Sequence, residues 1–411
     1  MKSDIDQLMK EQGMDVLLIT GPAQHNPLMT YFLGAVHVSD GDLIKPRGRD
    51  PFLYCSAMER EEGARSGIKT TSFSKYPMTE LIKETAGDFL EAYALRYEKI
   101  FKDAGITSGR VGVYGLKDVG LFHATLSRLE KRMPELSFTG FMRDEIMMQA
   151  MMTKEADEIE HIRRMGKITT EVVGKTADFL TGHKTSKGML VHADGSPVTI
   201  GEVRKHINLW IAEAGAENPE GTIFAIGRDA AVCHSMGNDT DALRLGQTIV
   251  YDIYPCEAGG GYFYDFTRTW CLGYASDEVL KLYEDVKSVY DQLVASLKVN
   301  QPFWLTQKLT CELFEARGHV TIMTNEITDE GYVHSVGHGI GLQVHEKPWS
   351  TMLNPSATDI LAPGSVFTLE PGLYYPSKGM GVRIEDSYAV TPDGKFEILA
   401  DYPKDLILPV K

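Results

Sequence analysis

The hydrophobic pattern of the first third of the chain alternates between strand-like and helix-like stretches. Residues 4–12 read as a short helix, followed by an apolar strand at 14–20 (MDVLLIT) and a second apolar run at 31–38. Residues 39–50, SDGDLIKPRGRD, are polar enough to read as a loop. Residues 78–104 place charged and apolar positions at helical spacing, 110–115 (RVGVYG) form a strand, 118–133 an amphipathic helix and 136–141 another strand. This alternation implies a small α/β domain over residues 1–143. From 143 to 180 the pattern is helical without interruption, with Ile159, Ile162, Met165, Ile168 and Val172 on one stripe. Residues 181–198 are polar and read as a surface excursion. Residues 199–215 form a helix with Val203, Ile207, Trp210 and Ile211 inward and Gly215 as its stop. Beyond 223, strands and turns dominate, with helices at 276–297 and 305–317. The second domain is thus 144–411, and the fold class is α/β in the α+β sense.

Two stretches of the second domain carry candidate chemistry. Residues 366–386, VFTLEPGLYYPSKGMGVRIED, read as a β-hairpin around a Pro-Ser-Lys-Gly turn. Glu370 and Glu385 are symmetric about that turn, which places them opposite each other with Cβ atoms about 5 Å apart. A second hairpin is predicted from 248–254 (TIVYDIY) and 262–272 (YFYDFTRTWCL), separated by Gly259–Gly261. Its centre falls between Ala258 and Gly259, so Asp252 and Asp265 are expected face to face. Carboxylates that close repel, and either protons or cations must offset them. Four of them suit two divalent cations, since hard or borderline cations favour oxygen ligands.

Histidines are densest in His334-Ser-Val-Gly-His338-Gly-Ile-Gly-Leu-Gln-Val-His345. Glycines around His338 let the backbone approach another group closely, and His338 is the candidate nitrogen ligand. The HExxH zinc motif is absent. His234 stands in GRDAAVCHSMG, ahead of the Asp252 strand. Arg383 lies two residues before Glu385, on the same strand face.

Composition narrows the function classes. The chain has 411 residues, 43% hydrophobic and 24% charged, and a formal charge of −15. It is long enough for two domains, and the negative balance argues against a nucleic-acid binder. No apolar run approaches the length of a membrane span, and the first residues lack the apolar core of a signal peptide, so a cytoplasmic location is expected. The five cysteines, Cys55, Cys233, Cys256, Cys271 and Cys311, are spaced as reduced thiols rather than as a disulfide or zinc framework.

The motifs VYD, YDFTRTW, GHGIGLQVHE, TLEPGLY and GVRIEDS, in that order, resemble those of the M24 or pita-bread metallopeptidases. That family includes Xaa-Pro dipeptidase (prolidase), Xaa-Pro aminopeptidase and methionine aminopeptidase. The resemblance spans residues 150–411. Residues 1–143 more loosely resemble the creatinase-like N-terminal domain of the proline-directed branch, which methionine aminopeptidases lack. The resemblance implies five metal ligands: Asp252, Asp265, His338, Glu370 and Glu385. It implies two divalent ions per chain, Mn²⁺ first and Co²⁺ or Zn²⁺ as alternatives, with Asp265 and Glu385 bridging them around a hydroxide. Glu370 would also be the catalytic base, and His234 and His345 would contact substrate and the developing oxyanion. Arg383 would orient the ligand carboxylates and hold a substrate carboxylate. The implied activity is hydrolysis of an N-terminal Xaa-Pro bond in dipeptides or short peptides, by a homodimer without nucleic-acid or membrane partners. The alternative within the fold is an amidohydrolase or lyase acting on a non-peptide small molecule, like creatinase or ectoine hydrolase. A non-catalytic binding module is the third class. It is disfavoured because all five implied ligands are present. In this sequence Cys233 stands where the family usually has proline, and the Asp252–Asp265 hairpin is two residues longer than usual.

Overall fold

The computed structural model describes residues 4–411. It divides into two compact units, residues 1–150 with 259–261, and the remainder. The division falls after Ala150, a few residues beyond the 143/144 boundary expected from the sequence. Ile146, Met147 and Ala150 are buried in the core of the first unit, which draws that stretch into it.

The first unit is built on a six-stranded mixed sheet. Its strand order is Lys69–Ser72, Phe52–Cys55, Gly41–Pro46, Val16–Gly21, Gly109–Gly115 and Leu136–Thr139. Val16–Gly21 sits in the interior, antiparallel to Gly41–Pro46 and parallel to Gly109–Gly115. Its alternate residues serve two cores. Val16 and Leu18 join the core with helices Phe89–Asp103 and Val119–Arg132, while Leu17 and Ile19 join the core with Ile5–Glu11 and Pro27–Leu33. A strand covered on both faces reads as a continuous apolar run, as this one does.

Residues 39–50, expected to be a loop, instead supply the interior strand Gly41–Pro46, all of it buried. Its polar side chains are satisfied by partners remote in sequence. Asp42 accepts from Tyr97 Oη at 2.9 Å and Lys117 Nζ at 3.0 Å, and Lys45 is paired with Asp6. Buried polar groups are tolerated when so paired, and polarity alone therefore misidentified this segment.

In the second unit, helix Ala156–Gly182 begins with a capping box in which Glu155 and Glu158 each take the other's backbone N–H. Its start breaks the uninterrupted helix expected from residue 143, which is instead a short helix, Met147–Met151, and then an extended link. In that link Thr153 bridges to Ser365, and Lys154 makes a buried ion pair with Glu346 at 2.8 Å. Residues 181–198 lie mostly exposed, as expected of a surface excursion, but they are ordered. They form the hairpin Lys184–Ser186/Met189–Val191, and Leu190 and Val198 are fully buried.

Two sheets form the framework of this unit. One runs Thr222–Ile226, Thr248–Ile253, Phe266–Leu272, Ile407–Leu408, against helices Ala156–Gly182 and Ile200–Glu213. The other runs Glu346–Trp349, His338–Gly339, Val366–Leu369, Asp386–Val390, Phe396–Ile398, with helices Asp277–Ser296 and Trp304–Glu315 sharing its core. Among the described residues no helix is long and apolar enough to cross a membrane.

The sheets are tied by one buried cation. Arg268 and Asp386, both 0% exposed, pair at 2.7 Å. Arg268 also donates to the carbonyl oxygens of Thr267, Glu385, Tyr402 and Pro403. Removing one partner of such a pair leaves a buried charge uncompensated, so Asp386→Ala is expected to cost about 3–5 kcal/mol of stability. Urea denaturation measures this, and a loss below about 1 kcal/mol would show that the pair does not tie the sheets.

Candidate active site

Five side chains converge where the two hairpins meet. Val366–Leu369 pairs with Asp386–Val390, and Gly372–Tyr375 pairs with Met380–Arg383. The two ladders share one register, with Leu369 opposite Asp386 and Gly372 opposite Arg383, so Glu370 and Glu385 fall opposite each other as expected. The other hairpin differs. Asp252 faces Thr267, not Asp265, because the register is shifted by two residues. The cause is the connecting segment, where Cys256 pairs with Glu217 and bridges to Phe263 instead of closing a tight turn. Asp265 remains on the same face as Thr267, diagonal to Asp252. The hairpins are joined where Thr267 bridges Glu385. The Glu385 amide donates to Thr267 O at 3.1 Å, and Thr267 Oγ1 donates to Glu385 Oε2 at 2.7 Å.

His338 enters from the second sheet, its amide donating to Thr368 Oγ1 at 3.2 Å. Gly337 and Gly339 allow that approach, since a Cβ on either would overlap the Thr368 or Lys347 carbonyl oxygen. His338 Nδ1–H donates to Gly339 O at 3.0 Å, which leaves the Nε2 lone pair facing the carboxylates. Nε2 lies 3.6 Å from Asp265 Oδ2 and 3.5 Å from Glu370 Oε1. Asp265, His338 and Glu385 each offer an atom within 4.8 Å of the others.

The electrostatics of this cluster are those of a site short of positive charge. Burial pushes Asp265 and Glu385 well above the carboxylate range, and neighbouring carboxylates push them further. Burial raises Glu370 to about 8, against the opposing pull of Arg383. Burial lowers His338 to about 3, so its imidazole is neutral and able to ligate. Asp252 Oδ1, Asp265 Oδ1 and Glu385 Oε1 are buried without a hydrogen-bond partner. Orphaned carboxylate oxygens beside a neutral imidazole nitrogen fit hard or borderline divalent cations.

The surrounding side chains set the orientation of the cluster. Arg383 Nη2 pairs with Asp252 Oδ2 at 2.5 Å, Nη1 donates to Tyr374 Oη at 2.8 Å, and Nε donates to Thr267 Oγ1 at 3.3 Å. Its observed contacts are therefore with the cluster, the orienting half of its expected role. His234 and His345 line the same cavity, and the His345 ring lies 4.3 Å from that of His338, centroid to centroid. Burial lowers the His345 pKa. Sequence reading overlooked Thr267 and Tyr374, although each lies an even number of residues from a candidate carboxylate, which puts it on the same strand face. It gave no role to His334, which accepts from Tyr374 Oη at 2.9 Å, and did not single out Glu220, for which spacing offers no signal.

The model of metallopeptidase family M24 matches residues 160–392, a span that contains all eight candidate site residues. "Probable dipeptidase PepE" of Mycobacterium tuberculosis is 29% identical over 264 residues, 64% of this chain and 62% of that protein's length. "Xaa-Pro dipeptidase" of Pyrococcus furiosus is 25% identical over 398 residues, 96% of this chain and 97% of that protein. The solved prolidase from Pyrococcus furiosus has a TM-score of 0.73 at 22% identity, covering 97% of this chain and 99% of that one. The X-Pro aminopeptidase from Thermotoga maritima has the same TM-score at 23% identity, covering 98% and 100%. These structures share the fold, an N-terminal domain followed by a pita-bread domain. The chain belongs to metallopeptidase family M24.

Proposed function

We propose that the protein hydrolyses the bond between an N-terminal residue and proline in short peptides. The observation that carries this reading is the set of orphaned buried oxygens of Asp252, Asp265 and Glu385 around a neutral His338. These residues and Glu370 would hold two divalent ions, with Mn²⁺ favoured and Co²⁺ or Zn²⁺ as alternatives. When bound, such ions supply an activated water at neutral pH and polarise the scissile carbonyl.

The protein's own groups then divide the work. Glu370, with Oε1 3.5 Å from His338 Nε2 and Oε2 3.8 Å from His334 Nδ1, would take the proton of the attacking water. It would return that proton to the departing proline nitrogen. His234 and His345 line the cavity wall and would donate hydrogen bonds to the developing oxyanion. Arg383 holds Asp252 at a fixed angle, and Thr267 does the same for Glu385. The dipeptidase and aminopeptidase relatives support a peptide substrate, and the homodimer is read from the family resemblance alone.

The test is hydrolysis of Xaa-Pro dipeptides and Xaa-Pro-Yaa tripeptides by metal-free protein after addition of Mn²⁺, Co²⁺ or Zn²⁺. Cleavage of at least one class is expected, and absence of cleavage with every metal overturns the reading. Glu370→Gln is expected to lower kcat by about 10²–10⁴-fold while total bound metal, measured by elemental analysis, changes far less. Equal losses in both would contradict its role as base. Asp265→Asn removes one repelling charge, so it should raise the Tm of chelated protein by about 2–4 °C and lower that of the Mn²⁺-loaded protein. A shift of the same sign in both states would show that repulsion in the cluster is not offset by cations.

A further inference from the structure

The cavity above the cluster has a volume of about 520 Å³, and its walls are unequal in charge. Five carboxylates line it: Glu220, Asp252, Asp265, Glu370 and Glu385. Among the described residues that line it, Arg383 is the one arginine or lysine. That side chain is 3% exposed and already committed to Asp252, Tyr374, Thr267 and the Cys233 carbonyl oxygen. A guanidinium engaged on Nε, Nη1 and Nη2 has no edge left for a bidentate grip on a substrate carboxylate. His334 is closed at both ring nitrogens, by Ser335 O at 2.7 Å and Tyr374 Oη at 2.9 Å.

Glu220 is the opposite case. It lies just before strand Thr222–Ile226, is exposed, and faces the cavity near enough for its charge to act on His345 and Tyr254. Two divalent ions would balance the four carboxylates of the cluster, and Arg383 is buried against one of them. The charge left facing an incoming peptide is that of Glu220.

We propose that the cavity takes a peptide by its N-terminal ammonium, with Glu220 as the counter-charge, and has no seat for a free carboxylate on the proline. Its substrates are therefore Xaa-Pro peptides that are extended or capped beyond the proline, in preference to the free dipeptide. This rests on the peptidase reading above. A free dipeptide would bring its carboxylate, bonded to the proline Cα, into a space whose one guanidinium is already engaged and whose remaining exposed charge is that of Glu220, where an unpaired charge is costly. An amide or a following residue removes that charge or carries it out of the cavity.

The experiment compares Ala-Pro, Ala-Pro-amide and Ala-Pro-Ala with Mn²⁺-loaded protein. It also measures calorimetric binding of the same three peptides to the Glu370→Gln variant. The amide and the tripeptide are expected to exceed the dipeptide by roughly tenfold or more in kcat/KM, and to bind more tightly in the same order. Glu220→Gln is expected to raise KM for the amide by about three- to tenfold, with kcat nearly unchanged. Glu220→Lys should raise KM for the amide and the tripeptide further than Glu220→Gln does, by setting a cation against their ammonium group. Dipeptide cleavage equal to or faster than that of the amide overturns the proposal while leaving the peptidase reading intact. An unchanged KM in Glu220→Gln overturns the role of Glu220. Absence of cleavage of all three peptides overturns the peptidase reading and this proposal with it.

Discussion

The constraint on which the second unit depends is the mutual repulsion of carboxylates brought together out of water. Asp252 lies in a strand and Asp265, Glu370 and Glu385 beside strand ends, and the last three are held where burial makes their charge unfavourable. The fold maintains this with hydrogen bonds that leave little room for relaxation. Glu385 is fixed through both its amide and its side chain to Thr267. The Glu370 amide donates to Val336 O at 2.8 Å. A cluster so arranged is stable only when positive charge enters it, which couples the integrity of the site to what it binds.

Two arginines make the arrangement rigid from different sides. Arg268 lies beneath the junction, gathering the carbonyl oxygens of Thr267 and Glu385 and the carboxylate of Asp386. Arg383 lies within the cavity wall and spends its donors on Asp252, Tyr374 and Thr267. Neither is free to follow a ligand. Orientation of the carboxylates is thus settled before substrate arrives, which is the condition for positional catalysis. On the proposal above, the one arginine among the described residues of the wall would take no direct part in substrate recognition, which would fall to the rim.

Much of the candidate site was legible because strands repeat every two residues. Symmetry about the 377/378 turn sufficed to place Glu370 opposite Glu385, as the two ladders on either side of them keep one register. The same reasoning was two residues out for Asp252 and Asp265, since the segment between them makes its own pairing through Cys256. Polarity misled at 39–50, where Asp42 and Lys45 are buried in a sheet and satisfied by Tyr97, Lys117 and Asp6. Helical periodicity misled at 152–155, where Lys154 leaves the helix to reach Glu346.

What the sequence by itself determined was local and periodic. The apolar stripe of helix Ala156–Gly182, the arms of the hairpins and the glycines flanking His338 all follow from residue type and spacing. What only the tertiary structure decided was how remote segments meet. The Thr267–Glu385 bridge joins residues 118 apart in the chain, and the commitment of Arg383 to Asp252 spans 131. Burial and charge at such junctions arise from packing, whose energies depend on neighbours that no local pattern encodes. That is why the spacing reveals which carboxylates matter, and why only the assembled cavity shows that Arg383 is occupied and Glu220 is not.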